Sequence, residues 1–248
     1  MTALTMDRLA PVSLDELNAT SALLTRIDRK YVLDDDAAAS LLALLPSDTR
    51  QLEIGSRRCF GYHSLYFDTP SLESFRGTAH RRRRRYKVRI RSYDTGLRFL
   101  EVKTRRGAHT VKERIGCDHM ILTQEGAYYV EDRLDAARIT PDGPLDPVLI
   151  TEYRRRTFLL SDGARLTVDT DLSWHSVGRQ LHVPGLVIVE TKSGARPSQA
   201  DRLLWADGHR PEPISKYATG LAALRPHLPQ NRWHRLLAST LSGGDAAA

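Results

Sequence analysis

Residues 85–93, RYKVRIRSY, decide how the rest of the chain is read. With a period of two, Tyr86, Val88 and Ile90 point one way, while Lys87, Arg89 and Arg91 point the other. That is the pattern of a half-buried β-strand. Its polar face is entirely cationic. Like charges along one strand face repel unless water, salt or an anionic partner lies opposite. The identity of that partner is the functional question.

Working outward, the same pattern returns. A turn at Asp94-Thr95-Gly96 leads to a strand over 98–104, where Phe99, Glu101 and Lys103 oppose Leu100 and Val102. A second turn at Arg106-Gly107 leads to 109–115, with Thr110, Lys112 and Arg114 on one face. Short turns of this kind predict antiparallel pairing. Farther along, Arg165, Thr167 and Asp169 oppose Leu166 and Val168, and Glu190 and Lys192 oppose Val187, Val189 and Thr191. Residues 26–33 alternate as well, with Arg26, Asp28 and Lys30 against Ile27, Arg29 and Tyr31. Further strands are expected over 60–68, 148–160 and 165–171, and the last over 186–192. Tyr66 and Asp68 fall at a strand-to-helix corner, where a packing role is expected.

Helices are predicted by caps and composition. Ser13-Leu14-Asp15-Glu16 reads as a capping box, AAASLLALL over 37–45 as a helix stopped by Pro46, and Thr69-Pro70 as a cap and first turn. Residues 123–134 and the segment 198–240 also read as helical, 141–144 as a loop, and the tail 242–248 as disordered. With no internal repeat and no linker, one domain is expected over 1–248, with its core at about 20–225. The expected fold class is α+β, about eight antiparallel strands in a barrel-like sheet with flanking helices.

Composition bounds the function. The 248 residues are 41% hydrophobic and 27% charged, ordinary for a globular protein, and the net charge of +7 favours anionic partners. The start lacks a basic segment followed by an apolar core, and the longest apolar run, 37–45, is too short to span a bilayer. Two cysteines, Cys59 and Cys117, have no metal-ligand spacing and the histidines are scattered. A reduced, cytoplasmic setting follows. If the sheet closes, its charged faces line a lumen. So much positive charge, dry and empty, would be strongly destabilising, so a ligand with many phosphates suits it. The run RRRRR over 81–85 lacks the interleaved aromatics of a stacking platform. It reads as a basic mouth or a solvated lead-in, and no nucleic acid is expected.

At this point the residues carry a resemblance. RIDRKY (26–31), SLYFDT (64–69), KVRIR (87–91), LEVK (100–103), VKER (111–114), EYRRRTF (152–158), RLTVD (165–169), VETK (189–192) and SKYATG (215–220) occur in the order of a VTC domain. The chain is thereby similar to the polyphosphate polymerase domain of vacuolar transporter chaperone complexes, one of the CYTH-like triphosphate tunnel metalloenzymes. The resemblance implies an eight-stranded antiparallel tunnel gripping a nucleoside triphosphate or a polyphosphate chain. It implies Lys30, Arg89, Arg91, Lys103, Lys112, Arg155, Arg165, Lys192 and Lys216 as catalytic and substrate-binding cations. It also implies Glu190, with help from Glu101, as the ligand of Mn²⁺ or Mg²⁺. Asp28 is expected to pair with a tunnel cation.

Two departures qualify what the resemblance implies. The CYTH signature is E-x-E-x-K, whereas Arg26-Ile27-Asp28-Arg29-Lys30 keeps one shortened acid and has Arg at the other position. That argues against a two-metal hydrolase. Eukaryotic family members also carry an accessory domain and membrane helices, neither legible in these residues, so membrane-coupled export would require a separate membrane-protein partner. The expected activity is transfer of the ATP γ-phosphoryl group to a growing polyphosphate chain. A tunnel triphosphatase and a non-catalytic polyphosphate-binding module are the alternatives. The oligomeric state is not legible.

Overall fold

A computed structural model describes residues 9–20, 27–241 and 245–247. The chain start, Arg26 and the tail positions 242–244 and 248, all read above, lie outside the described residues. In chain order the elements are β1 (Ala10–Val12), α1 (Leu14–Thr20), β2 (Ile27–Leu33), α2 (Asp35–Ala43), β3 (Arg50–Leu52), β4 (Phe60–Asp68), α3 (Glu73–Ala79) and β5 (Arg84–Tyr93). There follow β6 (Arg98–Arg106), β7 (His109–Gly116), α4 (Gln124–Ala136), β8 (Asp146–Leu159), β9 (Arg165–Ser176), β10 (Arg179–His182) and β11 (Val187–Ser193). The chain ends with α5 (Gln199–Ala206), α6 (Lys216–Leu224), α7 (His234–Leu236) and β12 (Asp245–Ala247).

Two compact units are present. The first comprises Met1–Phe60, Tyr153–Leu172 and Pro184–Ile214, and the second Gly61–Glu152, Ser173–Val183 and Ser215–Ala248. The long strands β8 and β9 contribute a segment to each. Eight strands follow one path, β12-β10-β9-β8-β4-β5-β6-β7, and the expectation of an antiparallel eight-stranded sheet with flanking helices holds.

In the first unit β11 is central, antiparallel to β2 on one side and β9 on the other. Their apolar faces bury Tyr31, Leu33, Leu166, Val168, Val187 and Val189 against Leu41 of α2 and Leu204 of α5. Asp201 of α5 anchors this packing. It accepts from Tyr31 Oη (2.7 Å), Thr191 Oγ1 (2.6 Å) and Ser198 Oγ (2.8 Å), and closes a capping box with Ser198.

In the second unit β5, β6 and β7 form an antiparallel meander. The stripe foreseen in RYKVRIRSY is its core face. Tyr86, Val88 and Ile90 join Leu100 and Val102 under Val130 and Leu134 of α4, all buried. Because successive side chains alternate, burying this set turns Lys87, Arg89 and Arg91 to the other face.

Several boundaries differ from the sequence expectation, each for a physical reason. Helix α2 starts two residues earlier than its alanines, because the Asp34 side chain accepts from Ala37 N at 2.8 Å. Thr69-Pro70 does not open α3. Leu72, in the left-handed region (φ 58°), precedes it, and Asp68 accepts from the backbone of Ser74 and Phe75. The parallel pair β1–β3 and the strand β10 are unforeseen, being three or four residues long. The tail, expected to be disordered, contributes β12, paired with β10. Among the described residues, no helix is long and apolar enough to cross a membrane.

Candidate functional site

The register of the second unit gathers the cations into rows. Lys87 lies opposite Lys103, and Lys103 opposite Lys112, so three lysines stand side by side across β5, β6 and β7. One step along, Arg89, Glu101 and Arg114 form the next row, and Arg91 with Phe99 the one after. Like charges directly opposite on a sheet are destabilising. Three in a line, beside three arginines, repel one another except where anionic groups lie among them.

Glu101 is one such group. It is 2% exposed, accepts from Arg89 Nε at 2.6 Å through Oε2, and accepts from Lys112 Nζ at 2.6 Å through Oε1. Burial alone would raise the Glu101 carboxyl, but the charges of Arg89, Arg91 and Lys112 override it and hold it well below the usual carboxylate range. The expectation of Glu101 as a helping metal ligand meets this obstacle: both of its oxygens are already engaged by cations.

Lys112 shows the opposite strain. Although 40% of the Lys112 side chain is exposed, desolvation of its ammonium, and then the positive charge of Arg89, push it down to about 7, against the pull of Glu101. A group whose charged form is this disfavoured gains most when an anion arrives.

Tyrosines carry the rest of the wall. Arg89 donates to Tyr66 Oη at 2.9 Å and lies over its ring, and Tyr66 stacks on Tyr217 at 5.0 Å between centroids. Burial would raise the Tyr66 phenol, yet Arg89 and Arg91 bring it below its ordinary value. From β5, Lys87 reaches the same pair, donating to Ser215 Oγ at the start of α6 at 3.0 Å and lying 5.4 Å from the Tyr217 ring. The expected packing role of Tyr66 and Asp68 is visible here: Tyr217 donates to buried Asp68, which also holds the start of α3. Ser215 caps α6, and the positive charge of the adjacent Lys216 is felt at Tyr66. The family correspondence assigned no role to Lys87 or Arg114. The period-two pattern alone put both on the cationic face.

In the first unit, β2 and β11 place Lys30 opposite Glu190 and Asp28 opposite Lys192. Lys192 Nζ lies 3.4 Å from Glu190 Oε1 and 3.9 Å from Asp28 Oδ2, so the expected pairing of Asp28 with a cation is present. Two carboxylates converging on one cation fit Mn²⁺ or Mg²⁺, hard cations that take one or two carboxylates and fill their shell with phosphate oxygens and water. Among the described residues, no three His, Cys, Asp or Glu side chains form an all-protein cage. Lys30 donates to the Ile214 carbonyl at 3.3 Å.

The two remaining expected cations are held by protein groups. Arg155 makes a two-pronged pair with fully buried Asp169 (2.5 and 2.7 Å) and lies over Tyr153. Arg165 donates to the Leu17 carbonyl and to Asn18 Oδ1. The lysine-rich rows of the second unit and the acid–lysine face of the first are therefore the chemically distinctive surfaces.

Comparison with known proteins agrees with this architecture. No curated protein sequence matches the chain. An adenylate cyclase candidate from Bacillus halodurans shares the fold at a TM-score of 0.50 and 15% identity, over 77% of this chain and 94% of that one. An adenylyl cyclase candidate from Hippeastrum, described as having a dominant triphosphatase activity, superposes at a TM-score of 0.51 and 18% identity, over 84% of this chain and all of that one. The sequence profile of the VTC domain matches residues 25–225, most of the chain. The chain belongs to the VTC domain family.

Proposed function

We propose that the chain is a nucleotide-dependent polyphosphate polymerase, moving the ATP γ-phosphoryl group onto the end of a polyphosphate chain. The observation that carries this reading is the lysine row Lys87, Lys103 and Lys112 beside Arg89, Arg91 and Arg114, with Glu101 the one carboxylate in these rows. Phosphoryl transfer asks a protein mainly for positioning and charge neutralisation. Arginine forks grip phosphate oxygens in pairs, and lysines act as movable point charges. In this reading Lys103, Lys112, Arg89, Arg91 and Lys216 hold phosphates in the second unit. Lys30 and Lys192 do so in the first, while Arg155 and Arg165 brace the strands that carry the site.

Glu190, with Asp28 beside it, would hold Mn²⁺ or Mg²⁺, which when bound neutralises phosphate charge. Glu101 is the counter-ion of Arg89 and Lys112 in this reading and takes no part in metal binding. A terminal phosphate is already anionic and needs no general base, whereas water needs activation. Glu101, clamped by two cations, is no base, which favours transfer to phosphate over hydrolysis. The triphosphatase alternative draws on the activity described for the Hippeastrum protein. Incubation with ATP and Mn²⁺ separates the readings: long chains on a gel, released orthophosphate alone, or neither despite binding.

If Glu190 is the main metal ligand, Glu190→Gln should abolish metal-dependent turnover and leave triphosphate binding largely intact, because the cations remain. Unchanged turnover would assign Glu190 to its ion pair with Lys192 alone.

Lys112 predicts a pH dependence. With its ligand-free value near 7, a bound phosphate raises it, so binding above pH 7 takes up a proton. Triphosphate affinity should be greatest at about pH 7 and fall as pH rises toward 9, and Lys112→Gln should flatten that fall. The ligand-free protein should behave oppositely. Between about 7 and the unperturbed 10.5 the unfolded chain binds more protons, so this group makes stability rise with pH. Calorimetric titration in buffers of different ionisation enthalpy counts the protons directly, and no uptake would contradict the assignment.

A further inference from the structure

The arginine run over 81–85 is not used by the phosphate rows, and the fold gives it a cavity. Arg84 and Arg85 open β5 directly opposite Arg106 and Arg105 at the end of β6, two more like-charge pairs in register. A cavity of about 470 Å³ lies there, lined by Arg82, Arg84, Arg85 and Arg138 together with Glu73 and Tyr86. Its carboxylate is already engaged: Glu73 accepts from Tyr86 Oη and from the Asp142 backbone N–H, both at 3.2 Å.

Among the described residues, none of these arginines pairs with a carboxylate. Arg85 donates to the Arg82 carbonyl at 2.7 Å, Arg105 to the Gly107 carbonyl at 3.0 Å, and Arg232 to the Thr78 carbonyl at 2.7 Å. Arg232 Nε is buried with no hydrogen-bond partner. Burial, and then the charge of Arg105, lower Arg85; burial, and then Arg81 and Arg105, lower Arg232. Helices α3 and α4 both end nearby, at Ala79 and Ala136, and their carbonyl ends attract some positive charge. Two partial charges do not balance this many guanidinium groups.

We propose that this cavity is a second phosphate-binding site, taking a distal part of a long inorganic polyphosphate chain. The proposal rests on the reading of the β5–β7 rows as the site that holds the chain end. Arg85 and Arg105 continue the strand faces of Lys87 and Lys103, whereas Arg84 shares the opposite face with Tyr86, so a chain passing from the rows to the cavity turns round the end of β5 at Arg85. Arg85 is four residues from Arg89, roughly 13 Å at the rise of a β-strand. Lys87 is nearer to Arg85, but Arg84 lies beyond both on the opposite sheet face, so a triphosphate held by Arg89 and Arg91 does not reach round the strand end into the cavity, whereas a long chain does. Nucleic acid fits less well. The lining offers no exposed aromatic ring for a base to stack on, since Tyr86 is buried with its hydroxyl on Glu73.

The test is titration of the full chain with long-chain polyphosphate, with triphosphate, and with single-stranded RNA of equal phosphate count. The wild type is compared with the variant Arg82→Gln, Arg84→Gln, Arg138→Asn. Asn at 138 suits the left-handed backbone there (φ 54°). The variant should lose at least about tenfold in affinity for the long chain and keep triphosphate affinity within about twofold, a tenfold loss being 1.4 kcal/mol. Should the triple variant fail to fold, Arg84→Gln alone carries the same comparison. Unchanged long-chain affinity, an equal loss for triphosphate, or RNA displacing the long chain on equal terms overturns the proposal. A wild type that ignores triphosphate, yet binds long chains through these arginines, keeps the cavity as a phosphate site and overturns the reading of the β5–β7 rows instead.

Discussion

Replacing Arg91 and Lys103 together by Gln is expected to weaken triphosphate binding by about two to four orders of magnitude. Each charge-assisted hydrogen bond contributes about 1.5–3 kcal/mol, and 1.4 kcal/mol is a factor of ten. The ligand-free fold should be affected far less. Lys103 is exposed and stands between two lysines, so its removal relieves repulsion. Buried Arg91 makes a long contact to Ser64 (3.4 Å), lies over Tyr62 and adds to the charge that holds Glu101 ionised; the first two contacts are worth about 1–2 kcal/mol together. Titration calorimetry beside thermal unfolding checks both halves. A variant that unfolds readily yet binds triphosphate as the wild type does would make the cationic face structural.

Arg89→Ala should behave differently, because Arg89 is bound to a buried carboxylate. Removing one partner of such a pair typically costs about 3–5 kcal/mol, and the cost here should lie at the low end because Lys112 still holds Glu101. In a Glu101→Gln background the same substitution should cost about 1–3 kcal/mol less. Denaturant unfolding of the four proteins of this cycle measures the coupling, and equal costs in both backgrounds would rule out the buried pair. The sign of the acid response follows. The Glu101 carboxyl is depressed when folded, so its contribution is present above about 4.5, its ordinary value, and is lost as pH falls toward the folded value. Glu101→Gln should therefore flatten the acid limb of the stability curve.

The contrast between Arg89 and Arg91 marks the limit of what the sequence reveals. Both sit on the cationic face of RYKVRIRSY, and the period of two identifies that face because one apolar stripe has to be buried. What the pattern omits is the register. Only pairing across β5 and β6 puts Glu101 opposite Arg89 and Phe99 opposite Arg91, setting one arginine against a buried carboxylate and the other against an aromatic ring. Arg155 and Arg165 are the same case. Their spacing matches the family, but Asp169, Leu17 and Asn18 claim their guanidinium groups through contacts across the fold. Lys87 was legible from alternation, although the motif correspondence gave it no role.

Local structure failed to be legible where it depends on tertiary contacts. The three-residue strands β1 and β3 are too short to carry a period. Nothing about Leu72 signals a left-handed residue before α3, since the surrounding structure imposes it. Asp68 serves as cap to that helix from the end of β4, six residues before Ser74, a reach that cap-spacing rules do not cover.

The central claim is that crowded cations on β5, β6 and β7 exist to meet phosphate. Thermal unfolding of the wild-type chain with and without inorganic triphosphate, at low and high salt, tests it most directly. A ligand that binds only the folded state stabilises it by about 2.7 kcal/mol at roughly a hundred times its dissociation constant. Triphosphate should raise the melting temperature clearly at low salt, and high salt should shrink the rise as the charges are screened. A melting temperature indifferent to triphosphate at every salt concentration, with a response to RNA instead, would contradict the account.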